Sequence, residues 1–167
     1  MNLYIVRHAI AVQHGTPGYE DDSQRPLTDP GRRKMKKIVK GLRRLGIELD
    51  AILSSPYVRA RDTARILASE FNMDDELGFS ENLVPPADFE ALIDEIHGQY
   101  DVGNLALVGH EPMLSSFISW LTTGHMDARL TLKKGGVCLL SSENPYQAHR
   151  ATLEWLLTPA LMVELSK

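Results

Sequence analysis

Short apolar runs alternate with amphipathic helical segments along this chain, and that alternation constrains the fold more than any other feature. The first run, from Leu3 to Val6, is continuously apolar, which is typical of a strand that is buried on both faces. Strands separated by helices form a largely parallel sheet with helices packed on either side. The sequence therefore predicts an α/β fold, a three-layer α/β/α sandwich with a mostly parallel central sheet. The length of 167 residues predicts one domain, 1–167.

The element boundaries follow from periodicity and turn signals. Apolar runs predict strands at 3–6, 51–53, 104–108, 137–140 and 151–157, with a weaker one at 77–80. Helical spacing and capping signals predict helices from Thr28 or Asp29 to Gly46, from Ser55 with Pro56 at the first helical position, from Asp88 to His97, and from the turn 109–112 to about Leu121.

The remaining segments are predicted from their turn residues and polarity. Residues 9–29 are polar and rich in Gly, Pro and Asp, so we expect a long loop, and such loops are often functional. We expect the last two strands to pair in antiparallel fashion across an Asn144–Pro145 turn. The tail from Thr158 is expected to form one amphipathic turn or an extended segment.

The composition excludes several classes of protein. The apolar runs are far shorter than the ~18 residues that a membrane span needs, and the N-terminus lacks the basic leader of a signal peptide. Cys138 is the only cysteine, so we expect a reducing compartment, the cytoplasm. The formal net charge of −4 argues against a nucleic-acid partner. The six histidines show no paired spacing of the kind that binds a metal.

Histidines and arginines follow three of the predicted strands. Arg7 and His8 end the first strand, Arg59 lies one turn into the helix after the second, and His110 follows the 104–108 strand. Ligands of open α/β sheets bind beyond the carboxyl ends of the strands, so we expect these side chains to meet there. Taken alone, His8 is more often a satisfied loop residue and His110 a turn residue. Their joint occurrence favours a functional site.

Arg59 is unusual because it lies in the first turn of a helix. A cation there is disfavoured by the helix dipole by roughly 0.3–1 kcal/mol. The position is explained if a dianion such as phosphate binds at that helix end, with Arg61 two residues further on. The alternative is that both arginines are solvated or paired with nearby carboxylates, namely Glu20, Asp21 or Asp62.

Four segments, in order and in the expected strand–helix context, resemble the histidine phosphatase superfamily, which has the phosphoglycerate mutase-like fold. They are Leu3–Ala9, Arg25–Arg32, Ser54–Ala64 and Leu107–Pro112. The resemblance covers nearly the whole chain and is strongest to the small SixA-type phosphohistidine phosphatases. One position departs from the family: Ala9 stands where the usual tripeptide Arg-His-Gly has glycine.

The resemblance implies a role for each matching residue. His8 would be the nucleophile that becomes transiently phosphorylated, Arg7 and Arg59 would hold the phosphoryl oxygens, and His110 would be the second histidine of the phosphate pocket. Glu81 resembles the glutamate that serves as general acid, with an exposed loop carboxylate as the alternative interpretation. Asp21 and Asp22 in the long loop are the second candidates for that role. The resemblance implies no metal and no other cofactor.

The resemblance also bears on the substrate. The chain is too short for the lid insertions that enclose small substrates, which favours phosphohistidine on a protein, for example a histidine phosphotransfer domain. The alternatives are a small-molecule phosphomonoesterase that acts on a phosphate ester, or a non-catalytic phosphate-binding adaptor.

The predicted first helix carries eight of the 18 Lys and Arg residues, which form either a solvated face or a docking surface for an acidic partner.

Overall fold

The computed structural model describes residues 1–127, 129–143 and 149–167. The strands are β1 (Asn2–Arg7), β2 (Ala51–Ser54), β3 (Leu77–Phe79), β4 (Asn104–Gly109), β5 (Val137–Ser141) and β6 (Thr152–Leu157). The helices are α1 (Asp29–Arg44), α2 (Val58–Phe71), α3 (Phe89–Gln99), α4 (Met113–Thr123) and α5 (Pro159–Leu165).

The strands form one six-stranded sheet in the order β3-β2-β4-β1-β5-β6. The first four of these run parallel, while β5 and β6 are antiparallel to their neighbours. The predicted mostly parallel sheet and the antiparallel pairing of the last two strands are therefore confirmed. The predicted Asn144–Pro145 turn between them lies outside the described residues.

The sheet is covered on both faces, because alternate residues of each central strand point to opposite sides. On β1, Leu3 and Ile5 belong to the apolar cluster that contains residues of α3 and α4. Tyr4 and Val6 belong to the cluster that contains residues of α1 and α2. This arrangement confirms the predicted three layers and explains why β1 is continuously apolar.

The strand register places the predicted site residues at one edge of the sheet. Arg7 at the end of β1 pairs with Gly109 at the end of β4, and Ser54 at the end of β2 pairs with Val108. The segments that follow β1, β2 and β4 therefore begin side by side. His8 and His110 are the first residues of two of these segments.

Three predictions about helix ends can be compared with the structure. Thr28 caps α1 by accepting a hydrogen bond from the Gly31 N–H at 3.0 Å, as predicted. The predicted cap at Ser55 is wrong: α2 begins at Val58 and has no side-chain cap. The Ser55 hydroxyl instead contacts the buried imidazole of His110. The tail forms the helix α5, capped by Thr158.

The predicted loop at 9–29 is held by its own hydrogen bonds. Ala11 and Leu27 form an isolated antiparallel bridge, and Arg25 donates to the Val12 carbonyl at 2.6 Å. A short 3₁₀ turn spans Asp22–Gln24. The loop thereby presents Asp22 to the segment that begins α2.

No helix within the three described segments is both long enough and apolar enough to cross a membrane.

Candidate active site

The two histidines and Arg59, predicted from separate strand ends, are close together and buried. His8 is 6% exposed, His110 is 2% exposed and Arg59 is 5% exposed. The ring centroids of His8 and His110 lie 5.3 Å apart. Tyr57 packs against both His110 and Arg59. Its ring centroid lies 5.1 Å from the ring centroid of His110 and 5.1 Å from the guanidinium carbon of Arg59.

His8 has a defined orientation and protonation state. Its backbone N–H donates to the Gly109 carbonyl at 3.0 Å, which fixes the residue against β4. Its Nδ1 lies 2.7 Å from the Ala9 carbonyl oxygen, which can only accept, so Nδ1 carries the proton and Nε2 carries the lone pair. Burial, with the nearby charges of Arg59 and Arg7, lowers the pKa of His8 to about 3. At neutral pH the ring is therefore uncharged and nucleophilic at Nε2.

Ala9 causes no backbone strain at the position where the family usually has glycine. Among the described residues other than glycine, only Asn72 and His149 have positive φ. Ala9 therefore does not need the left-handed conformation that would favour glycine. Its N–H donates to Thr63 Oγ1 at 3.0 Å, and that hydroxyl donates to the Arg59 carbonyl at 2.7 Å. Ala9 thus links the nucleophile's loop to α2.

Arg59 is held by the 9–29 loop. Its two terminal nitrogens donate to the Asp22 carbonyl at 2.6 Å and to Asp22 Oδ2 at 2.8 Å. The carboxylates that the sequence offers as partners of Arg59 and Arg61 are Glu20, Asp21 and Asp62. The partner of Arg59 is instead Asp22, whereas Arg61 Nε lies 3.5 Å from Asp62 Oδ1, as the alternative predicts.

Asp22 carries a full negative charge beside this arginine. Its Oδ1 accepts from Arg25 at 2.7 Å and is 2.8 Å from His14 Nδ1. Burial pushes the pKa of Asp22 upward, but the hydrogen bonds from Arg25 and His14 and the charge of Arg59 outweigh it and hold the pKa well below its usual range. An acid with so low a pKa is ionised at neutral pH, so Asp22 is poorly suited to donate a proton to a leaving group.

His110 is oriented by Ser55. The Ser55 hydroxyl oxygen lies 2.8 Å from His110 Nε2 and 3.4 Å from the Tyr57 N–H, which can only donate. When the hydroxyl donates to Nε2, the ring proton of a neutral His110 lies on Nδ1, which is the tautomer that can donate to an anion. Burial and the charge of Arg59 lower the pKa of His110 to about 3, so this ring is also neutral.

Three buried nitrogen atoms of the predicted phosphate-binding residues make no hydrogen bond within the described protein. In the described part of the chain, the buried side-chain polar atoms without a hydrogen-bond partner are Arg7 Nε, Arg59 Nε, Arg61 Nε, His110 Nδ1 and Glu111 Oε1, and of these Arg61 Nε lies 3.5 Å from Asp62 Oδ1. Arg7, Arg59 and His110 are residues predicted to hold phosphate. Buried polar groups are nearly always paired, so their three nitrogens are candidate contacts for an anion.

Arg7 is fixed by a contact with the segment that precedes β5. Its Nη1 donates to the Leu132 carbonyl at 2.8 Å. Burial lowers the pKa of Arg7, while the charge of Glu111 acts in the opposite direction. Glu111 follows His110 directly, and its Oε2 accepts from Ser115 at 2.6 Å. Sequence reasoning treated Glu111 only as a turn residue.

Glu81 follows β3, at the same edge of the sheet. It begins the 3₁₀ turn Glu81–Leu83, its backbone carbonyl accepts from the Val84 N–H at 2.9 Å, and its side chain is exposed. Its carboxylate makes no hydrogen bond or ion pair with the residues that the structure describes. Since β3 is separated from β1 by β2 and β4, the two strands are three spacings apart, about 14 Å.

Within the described segments, no three His, Cys, Asp or Glu side chains are grouped closely enough to hold a metal ion.

Comparison with known proteins identifies the family. The sequence profile of the histidine phosphatase superfamily (branch 1) matches residues 3–83. An uncharacterised protein of Picosynechococcus sp. is 36% identical over 166 residues, which cover 95% of this chain and 96% of that protein. The chain belongs to the histidine phosphatase superfamily. It is a phosphatase of this superfamily, as the resemblance implied.

The same fold occurs in SixA proteins. Phosphohistidine phosphatase SixA of Escherichia coli is 22% identical over 166 residues, which cover 95% of this chain and 94% of that protein. The solved structure of the protein histidine phosphatase SixA complexed with tungstate superposes with a TM-score of 0.83 at 20% identity, over 97% of this chain and 99% of that chain. The predicted SixA-like, phosphoglycerate mutase-like fold is confirmed.

Sequence reasoning missed the residues that orient the site. The sequence predicts Ser55 as a helix cap, offers carboxylates other than Asp22 as partners of Arg59, and gives Thr63 no separate role. Ser55 and Thr63 lie within the segment that resembles the family, so their position beside Arg59 was the available signal. The pairing of Asp22 depends on the path of a long loop, which local sequence does not specify.

Proposed function

We propose that the protein is a metal-independent phosphatase that uses His8 as its nucleophile and hydrolyses phosphohistidine on a protein substrate. The proposal is supported above all by the unpaired buried nitrogens of Arg7, Arg59 and His110, which belong to residues at neighbouring strand ends, and by a neutral His8. An unsatisfied buried donor costs about 1–3 kcal/mol, so each of these nitrogens would be stabilised by donating to a phosphoryl oxygen. We assign the activity to one domain, 1–167, in the cytoplasm.

The reaction would proceed in two displacements. His8 Nε2 attacks phosphorus with its lone pair, the bond from phosphorus to the leaving nitrogen or oxygen breaks, and the leaving group takes a proton. Water then attacks phospho-His8, which releases inorganic phosphate and restores the neutral ring. The two arginines and His110 Nδ1–H would stabilise the charge on the equatorial oxygens, which is the main task in phosphoryl transfer.

The leaving group distinguishes phosphohistidine from phosphate esters. An alkoxide departs poorly unless a positioned acid protonates it, whereas imidazole is a better leaving group once protonated. Glu81 is the proposed acid, and its exposed carboxylate makes no hydrogen bond with the described residues that would fix it for proton transfer, which favours a substrate that depends little on it. This placement supports phosphohistidine over a small-molecule ester as the preferred substrate.

A labelling experiment tests the nucleophile. After mixing with a ³²P-labelled phosphohistidine protein, the wild-type chain should carry a label that is lost in acid and retained in base. His8→Ala should show neither label nor turnover, while the exposed-site control His125→Ala should retain both. Equal turnover in wild type and His8→Ala would refute the assignment. Binding of phosphate without any turnover in the wild type would identify an adaptor.

A second experiment tests the acid and the substrate class. Glu81→Gln should reduce hydrolysis of p-nitrophenyl phosphate or other phosphate esters more than hydrolysis of phosphohistidine. Glu111→Gln is the matched control, because Glu111 is the carboxylate whose charge reaches Arg7. If Glu111→Gln alone gives the ester-selective loss, Glu81 is not the acid. Higher kcat/KM on a panel of esters than on phosphohistidine would favour the small-molecule alternative.

A further inference from the structure

A cleft beside Arg7 carries uncompensated positive charge. It has a volume of about 480 Å³ and is lined by Arg7, by Lys34 of α1, and by Lys133 and Lys134 from the segment before β5. Its other lining residues are Ile10, Thr158, Pro159 and Ala160, none of which is acidic. Arg7, one of the residues predicted to hold phosphate, therefore also borders a cationic cleft on the α1 side.

Lys133 and Lys134 are held at a fixed position relative to His8. The Gly135 N–H lies 3.1 Å from the carbonyl oxygens of both Arg7 and His8, and the Gly136 N–H donates to the Lys133 carbonyl at 2.6 Å. The turn that bears the two lysines is therefore pinned to the backbone of the nucleophile's strand. A charge carried on such a turn can act on the same part of every bound substrate.

The lysines of this cleft are not neutralised within the protein. In the described segments, no carboxylate lies within 4 Å of Lys34, Lys133 or Lys134. Other basic side chains do have partners: Arg32 pairs with Asp62 at 2.5 Å. These three lysines are therefore available to bind negatively charged groups of another molecule.

The basic residues that the sequence predicts on α1 lie along two separate clefts. Lys36 lines a separate cleft together with Arg32 and Asp62, on the side of α2. Arg33 and Lys37 share a cleft with Lys34, so they continue the cationic surface away from Arg7. Lys34 and Lys37 are about 4.5 Å apart along the helix axis, since they are three residues apart. We name the surface formed by Arg33, Lys34, Lys37, Lys133 and Lys134 the lysine strip.

We propose that the lysine strip docks acidic side chains that flank the phosphohistidine of a protein substrate. The inference rests on the proposed function and adds the surface by which that site would recognise its partner. Lys37, Lys133 and Lys134 are exposed and Lys34 is half-buried. A surface of such lysines suits several hydrated carboxylates on a protein, because each ammonium acts as a flexible point charge. Such a surface mainly speeds productive encounter and selects acidic partners, and it loses effect in high salt.

The test compares two phosphohistidine peptides that differ only in their flanking residues, which are glutamates in one and glutamines in the other. The enzymes are the wild type, Lys133→Gln/Lys134→Gln, and the control Lys36→Gln/Lys40→Gln, which removes the same charge from α1 outside the strip. At low ionic strength the wild type should prefer the acidic peptide about fivefold in kcat/KM, the factor expected from two exposed ion pairs. The preference should fall below about twofold in the first variant and persist in the control.

Binding is measured separately with non-hydrolysable phosphonate analogues of both peptides, so that docking and turnover are distinguished. A lysine-dependent preference in binding without turnover of either peptide would support docking and refute the proposed function. Equal binding of both analogues by the wild type would overturn docking whatever the turnover. Equal loss of the preference in the control variant would also overturn it. A lysine-dependent preference for inorganic pyrophosphate with no peptide preference would assign the strip to a small polyanion and overturn the proposal.

Discussion

Acidification from pH 7 to pH 5 should destabilise this protein, because His8 and His110 are buried as neutral rings. Burial and neighbouring cations lower the pKa of both to about 3, from an ordinary value of 6.5. Between these two pH values the unfolded chain binds protons that the folded protein does not. The free energy of unfolding therefore falls as the pH drops below 6.5, and the full stabilisation is present only above it.

The magnitude follows from the size of these pKa differences. At pH 5 each histidine that is neutral in the folded state and titrates at 6.5 in the unfolded state lowers stability by about 2 kcal/mol. The two together give about 4 kcal/mol, a large share of the roughly 5–15 kcal/mol that stabilises a typical domain. The ionised Asp22 acts in a different range, since its depressed pKa matters only as the pH approaches its ordinary value of 3.8 and falls below it.

Urea unfolding at pH 7, 6 and 5 and constant ionic strength measures this effect. The wild type should lose about 4 kcal/mol between pH 7 and pH 5, and His110→Asn should lose about half as much because one titrating ring has been removed. His8→Asn should behave in the same way. A free energy of unfolding that changes by less than about 1 kcal/mol over this range would refute the reasoning. So would a His110→Asn variant with the wild-type pH dependence.

Three further changes test contacts of the site and of the fold. Asp22→Asn removes the charge that competes with phosphate for Arg59, so calorimetry should show several-fold tighter binding of inorganic phosphate. Urea unfolding of the same variant should show a free energy of unfolding lower by about 1 kcal/mol. An unchanged phosphate affinity would contradict the competition. Ser55→Ala frees the His110 ring, so kcat should fall at least about tenfold, and a wild-type kcat would show that the contact is dispensable. Gly41→Ala should destabilise the protein by about 1–3 kcal/mol, because the added Cβ would lie 2.1 Å from a backbone carbonyl oxygen of α5. The matched control is Gly98→Ala in α3, whose added Cβ meets no atom within 4 Å and which should not destabilise the protein.

The predicted elements agree with the structure where a local signal determines them. Leu3 to Val6 is buried because it lies in a sheet covered on both sides, and the helical spacing of Phe89, Leu92 and Ile96 places them in one buried cluster. The spacing of apolar residues along the chain depends on which face of a helix or strand is buried, so this spacing predicts helices and strands well. The strand order is different, because nothing local in the sequence states that β4 lies between β2 and β1.

The candidate site was predictable as a set of strand-end residues but not as a set of contacts. Parallel strands that end at one edge are enough to bring His8 and His110 together. The hydrogen bond from Ser55 to His110 depends on the register of β2 against β4, and the bond from Arg59 to Asp22 depends on a loop of about twenty residues. Long-range register and loop path are decided by packing of the whole fold, which a single sequence does not display.

The charge distribution explains why a loop carboxylate lies in a site built for an anion. Arg59 is almost fully buried, and a buried cation without a partner is strongly disfavoured. Asp22 supplies that partner through Oδ2, while its Oδ1 remains bound to Arg25 and His14. Arg59 Nε is left for a phosphoryl group, which would then bind the same guanidinium as Asp22. The two anions share one cation, so removing the Asp22 charge should change stability and phosphate affinity in opposite directions.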